Sequence, residues 1–215
     1  MIDVKVCGLT DPEAVRAAAE GGARWLGFVF YPPSPRALTP AQAAALAALA
    51  PRRCTTVGVL VDPDDALLRE ILAEVPLDAL QLHGSQSPER IAAIKAATGC
   101  QVITSLSIAT REDLAPVREH AEVADMLLFD AKASPEALPG GNGLAFDWRL
   151  LEGVQVQRPW LLAGGLNAAN LAAAVRLCGA RAVDVSSGVE AAPGRKDPAK
   201  IREFLEIAAM VGAPA

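Results

Sequence analysis

Apolar and polar positions along this chain repeat one phrase: a short run rich in valine, isoleucine and leucine, a polar turn, and then an Ala/Leu-rich stretch with helical spacing. The runs fall at Ile2–Val6, Trp25–Phe30, Thr55–Val61, Ala79–Leu82, Val102–Ser107, Met126–Phe129, Trp160–Ala163 and Ala182–Val185. Helical stretches follow them, beginning near Pro12, Pro40, Pro63, Pro88, Arg111, Asp147, Ala168 and Pro198. Five carry a starter in which Asp, Thr or Ser precedes proline: Asp11-Pro12, Thr39-Pro40, Asp62-Pro63, Ser87-Pro88 and Asp197-Pro198. Proline suits the first helical turn because its missing N–H has no partner there anyway. Eight strand–helix units without a Pro/Gly/Ser-rich linker predict a parallel sheet covered by helices, closed into a (β/α)8 barrel of one domain over residues 1–215. An open dinucleotide-binding sheet would need Gly-x-Gly-x-x-Gly after an early strand, and the paired glycines here come late, at Gly164-Gly165.

Alternation within the strands assigns their faces, since every second residue shares one side. Val4 and Val6 suit the helix-covered exterior, which turns Lys5 and Cys7 inward. The same division turns Asp184 and Ser186 inward on the eighth strand, Gln81 and His83 on the fourth, and Asp130 on the sixth. Strands one and eight are neighbours in a closed barrel, so Lys5 and Asp184 are placed to pair. Polar groups at one rim mark chemistry, because a buried charge costs several kcal/mol unless it is paired. In barrels the active site lies at the C-terminal ends of the strands.

Composition narrows the chemistry. The net charge is −5 and no basic cluster with interleaved aromatics occurs, which argues against nucleic acid. No apolar stretch approaches the roughly 20 residues of a membrane span, and no signal-peptide pattern opens the chain, so a cytoplasmic protein is expected. The four cysteines are scattered and only two histidines occur, so neither a zinc site nor a redox pair is expected. Cys54, Cys100 and Cys178 read as small buried apolar residues.

Single residues need weighing against ordinary roles. Asp11 and Asp62 precede helix starts and read as N-caps. Asp130 has no such duty, because a long Pro/Gly-containing loop, 131–145, follows it. A surface arginine is ordinary, but Arg36 follows Pro32-Pro33-Ser34-Pro35, a stiff mount suited to clamping a carboxylate. Gly164-Gly165-Leu166-Asn167 and Ser186-Ser187-Gly188-Val189 follow strands seven and eight, where barrel enzymes cradle phosphate with backbone N–H groups.

Lys5-Val6-Cys7-Gly8-Leu9-Thr10, Gly27-Phe28-Val29-Phe30, Ser34-Pro35-Arg36, Gln81-Leu82-His83-Gly84, Phe146-Asp147-Trp148, Ala163-Gly164-Gly165-Leu166 and Asp184 to Glu190 together resemble the phosphoribosylanthranilate isomerase family of tryptophan biosynthesis. The resemblance covers the whole chain in order. It implies an Amadori rearrangement of N-(5-phosphoribosyl)anthranilate without metal or organic cofactor, in a monomer or homodimer. It further implies Cys7 as general base, Asp130 as general acid and Arg36 on the anthranilate carboxylate. Gly164, Gly165, Ser186, Ser187 and Gly188 would hold the phosphate, with Asp184 beside the ribosyl-amine and His83 lining the pocket. An ordinary carboxyl is almost wholly ionised at neutral pH and an ordinary thiol almost wholly protonated, so Asp130 is expected to be raised by burial and Cys7 lowered, with Lys5 or an imine cation as cause. Asn142 and Ala37 stand where the family usually carries Thr and a larger residue, and 131–145 is expected to act as a lid. The alternatives are another phosphosugar barrel, such as the histidine-pathway aminoaldose isomerase or indoleglycerol-phosphate synthase, and a barrel that only binds a phosphorylated metabolite.

Overall fold

A computed structural model describes residues 1–132 and 146–211 of the chain. The expected lid and Asn142 therefore lie largely outside the described residues. Eight parallel strands close into a barrel in sequential order: β1 Asp3–Cys7, β2 Trp25–Val29, β3 Thr55–Val61, β4 Ala79–His83, β5 Gln101–Ile108, β6 Met126–Ala131, β7 Trp160–Leu162 and β8 Ala182–Val185. Closure comes from β1 against β8, in a register that sets Lys5 opposite Asp184. A short antiparallel hairpin follows β8, with β9 at Glu190–Ala192 and β10 at Arg195–Lys196.

Seven α-helices stand in the described chain: α1 Pro12–Glu20, α2 Pro40–Ala47, α3 Asp65–Glu74, α4 Pro88–Thr98, α5 Val117–Val123, α6 Leu171–Cys178 and α7 Pro198–Val211. The starters work as the chemistry requires. Asp11 accepts from Ala14 N, Ser87 accepts from Arg90 N, and Thr39 with Gln42 forms a reciprocal capping box. Asp62 is an exception. It takes a left-handed backbone (φ 42°), and its carboxylate accepts instead from Ser85 N at 3.0 Å and Gln86 Nε2 at 2.6 Å. Asp64 caps α3 instead, accepting from Leu67 N at 2.8 Å, so the helix begins two residues after Pro63.

Two other helical stretches are shorter than their pattern. Pro116 breaks the stretch at Arg111 into a 3₁₀ turn, Arg111–Leu114, and then α5. Asp147 caps only the 3₁₀ turn Trp148–Leu151. Cys100 is half-buried rather than buried, while Cys54 and Cys178 are buried as expected.

Outward strand residues such as Val4, Val6, Leu80, Leu82, Leu127, Phe129, Val183 and Val185 pack under the helices in one large core. The barrel interior is a separate core of Trp25, Val57, Ala79, Ile103, Leu128, Leu161, Ala163 and Ala182. No described helix is long and apolar enough to cross a membrane.

Candidate active site

Above that interior core, at the C-terminal ends of the strands, the filling of the barrel turns polar. One pocket there is lined by Cys7, Arg36, His83, Asp130, Asp184 and Ser186, together with Gln81, Tyr31, Ser34, Val29, Val59 and Val61. Six residues singled out from sequence thus meet in one place, delivered by β1, β4, β6, β8 and the loop after β2.

Lys5 lies at the floor of this group, fully buried, with its Nζ 2.9 Å from Asp184 Oδ1. The strand register forces this pairing. Burial alone would lower the lysine, but the charges of Asp184 and Cys7 outweigh it and hold the ammonium above its ordinary range. A Cβ placed on Gly27 would lie 3.2 Å from both Cys7 Sγ and Lys5 Nζ, so glycine on β2 leaves room for both groups.

Cys7 departs from expectation. Burial pushes its thiol up; Lys5 and Lys196 pull it down without overcoming the lost solvation, and Asp184 adds to the rise. The lysine two residues away therefore limits the rise rather than producing a thiolate. The upward shift expected for Asp130 is present. Burial first, and the nearby charge of Asp184 second, push it to about 7, against the bond it accepts from its neighbour Ala131 N at 2.8 Å and the charge of Lys5. His83 is lowered to about 4 by burial and by Lys5, so its imidazole is neutral near pH 7. It meets the Gln81 amide at 2.6 Å. Among the described residues, Gln81 Oε1 and Ser105 Oγ are buried without a protein partner. An acceptor left open at a pocket wall suits a ligand hydroxyl.

The two glycine-bearing segments also come together. The amides of Gly165, Ser187 and Gly188 find no protein acceptor among the described residues. Asn170 braces the first loop, donating to Gly165 O at 2.9 Å and accepting from Asn167 N at 2.8 Å. Gly188 presses on the carbonyl of Leu166, so the loops after β7 and β8 touch. Clustered N–H groups of this kind suit an anion.

Arg36 reaches the pocket over Gly8. That glycine follows Cys7 with φ 75°, and a Cβ on it would stand 2.5 Å from Arg36 Cδ. The guanidinium is not a lone clamp: Nε and Nη2 donate to Glu190 at 2.7 and 2.9 Å. The sequence pattern includes Glu190 in a motif without giving it a role, and it gives no sign of Lys196. Alternation turns Gln81 inward beside His83 but assigns it no contact. Among the described residues, no group of three or more His, Cys, Asp or Glu could hold a metal ion.

The sequence model of the family described as N-(5'phosphoribosyl)anthranilate (PRA) isomerase matches residues 4–207. The chain belongs to the phosphoribosylanthranilate isomerase family. A relative of that name from Paracoccus denitrificans is 55% identical over 205 residues, covering 95% of each chain. Another, from Rhodospirillum centenum, is 53% identical over 210 residues, covering 97% of this chain and 98% of its own. Among solved structures, the isomerase of Thermotoga maritima superposes with a TM-score of 0.87 at 35% identity, over 98% of this chain and all of that one. A family structure in complex with reduced 1-(o-carboxyphenylamino)-1-deoxyribulose 5-phosphate gives a TM-score of 0.83 at 32% identity, over 98% of this chain and 100% of that one.

Proposed function

We propose that this chain isomerises N-(5-phosphoribosyl)anthranilate to 1-(2-carboxyphenylamino)-1-deoxyribulose 5-phosphate, the Amadori step of tryptophan biosynthesis, with Asp130 as general acid and Cys7 as general base. The observation that carries the assignment of roles is the pairing, in one rim pocket of a barrel of this family, of a carboxyl raised to about 7 with an inward-facing thiol.

Asp130 donates its proton to the furanose ring oxygen. The C1–O bond breaks and the nitrogen lone pair forms an iminium cation. That cation then stands beside Cys7, and its charge favours the thiolate that burial disfavours. Cys7 takes the C2 proton; the C2–H electrons form the C1–C2 double bond and those of the C1–N double bond return to nitrogen. The resulting enolamine tautomerises to the ketone. Without substrate, an acidic Asp130 and a basic Cys7 together are a minority arrangement of protons, since the thiol is the weaker acid. The iminium charge formed by the first proton transfer therefore lets the Cys7 thiol release its proton to solvent before the thiolate takes the C2 proton.

Arg36 is assigned to the anthranilate carboxylate; Gly164, Gly165, Ser186, Ser187 and Gly188 to the phosphate; Asp184 to the ribosyl-amine; and neutral His83 to the sugar wall. We further assign the barrel over 1–215 as one working unit, in the cytoplasm, as a monomer or homodimer. Purified protein is expected to remove the fluorescence of N-(5-phosphoribosyl)anthranilate in a single-substrate assay. Unchanged fluorescence at stoichiometric protein rejects the reading.

A further inference from the structure

Glu190 and Lys196 take no part in the proton transfers above, yet both are buried beside them, 8% and 4% exposed. They come from the β9–β10 hairpin, which no strand of the barrel needs for closure. Glu190 faces Arg36 fork to fork, Oε1 accepting from Nε at 2.7 Å and Oε2 from Nη2 at 2.9 Å. This geometry fixes the plane of a guanidinium as well as its position. Lys196 Nζ donates to Glu190 Oε1 at 2.8 Å, Ser186 O at 2.9 Å and Ser186 Oγ at 3.2 Å, which commits all three of its protons. Ser186 Oγ donates onward to Cys7 O at 3.1 Å.

The hairpin is itself tightly held. Its turn residue Gly194 has φ 78° and presses on Pro35 O, the carbonyl immediately before Arg36. Thr10 Oγ1 donates to Gly194 O at 3.0 Å, and Lys200 Nζ donates to Glu190 O at 2.8 Å. Burial alone would raise Glu190, but the bonds and charges of Arg36 and Lys196 hold it below its ordinary range, so it is a carboxylate at working pH. Replacing a buried ion cluster by apolar side chains of similar volume often costs little stability. This cluster ends on the side chains of Arg36 and Ser186, which a purely structural clip would not need to reach.

We propose that Glu190 and Lys196 are positioning residues that hold Arg36 and Ser186 at a fixed spacing across Cys7, so that the site accepts a substrate with an anionic group at each end. The proposal rests on the assignment of Arg36 to the carboxylate and Ser186 to the phosphate.

Steady-state kinetics of Arg36→Met, Glu190→Gln, the double variant and Lys196→Met, each with its Tm, test it. Glu190→Gln is expected to raise KM for N-(5-phosphoribosyl)anthranilate about 10–100-fold, with kcat changing much less. The double variant is expected to have a KM no higher than Arg36→Met alone, because Glu190 acts through that arginine. Lys196→Met is expected to weaken competitive inhibition by inorganic phosphate about tenfold or more.

A wild-type KM in Glu190→Gln, a lowered Tm without a KM effect, KM increases that multiply in the double variant, or unchanged phosphate inhibition in Lys196→Met each overturns the proposal. If Glu190→Gln does not fold, Glu190→Gln/Lys196→Met removes both charges together and must show the same raised KM. Arg36→Met with an unchanged KM instead rejects the carboxylate assignment itself. A raised KM in Arg36→Met beside a wild-type KM in Glu190→Gln rejects only the positioning role.

Discussion

In the lower half of the barrel interior, Ala79, Ile103, Leu128 and Ala182 pack in an apolar layer. Two residues further along the same four strands stand Gln81, Ser105, Asp130 and Asp184, all buried. Backbone, register and inward direction are shared, and only side-chain chemistry changes. The lower layer contributes burial at roughly 25 cal/mol per Å² of apolar surface. In the upper layer burial shifts protons instead: it raises Asp130 to about 7 and leaves Gln81 Oε1 without a partner among the described residues, and one step further up β4 it lowers His83 to about 4. Low dielectric is thus used for cohesion in one layer and for acid–base tuning in the other.

The contrast is easiest to break at the acid and base proposed above. Cys7→Ser and Asp130→Asn are each expected to lower kcat about 10²–10⁴-fold with circular dichroism unchanged. Turnover within tenfold of wild type in either variant rejects its assignment. Lys5 sharpens the contrast next. Lys5→Met leaves Asp184 buried without its cation and is expected to cost about 3–5 kcal/mol in urea unfolding. Lys5→Met/Asp184→Asn is expected to regain most of that stability and remain inactive. Activity returning with stability would show the ion pair to be structural only.

The lower layer should respond in the opposite way. Leu128→Ala removes a fully buried side chain and is expected to cost about 2–5 kcal/mol, while kcat/KM stays within about threefold well below the transition. A large kinetic loss there would dissolve the division between the layers.

The smallest of these effects follows from linkage. Because the folded pKa of Asp130 is raised above the unfolded value of about 3.9, the native state holds a proton that the unfolded chain has lost. Stability therefore falls as pH rises from 4 through 7. Asp130→Asn is expected to be more stable than wild type at pH 8 by about 2–4 kcal/mol, with the gain vanishing near pH 4. Equal stability differences at the two pH values would contradict the raised pKa.

How much of this was legible in sequence follows the range of the interactions. Strand order, faces and the pairing of Lys5 with Asp184 rest on alternation and on the closure of β1 against β8, both written in local patterns. Asp62 was misread as a cap because Pro63 looks like a first helical residue; only the chain path shows that the aspartate turns away to bind Ser85 and Gln86. The helix expected after Asp147 stops at one 3₁₀ turn, with Gly153 in a left-handed turn soon after. Arg36 was found through its proline mount, but Glu190 and Lys196 lie more than 150 positions away, and no local pattern announces such a contact. The direction of the Cys7 shift was misjudged for a related reason. Lys5 is visible two residues away, whereas the depth of burial that overrides it comes from the whole barrel mouth.

Burial keeps the Asp130 carboxyl protonated well above the ordinary aspartate range. Carboxyl ¹³C NMR of aspartate-labelled protein, with Asp130→Asn used to assign the resonance, reads this protonation directly. The expected titration midpoint is about 7. A midpoint near the ordinary aspartate value of about 3.9 would overturn both the raised carboxyl and the acid role built on it.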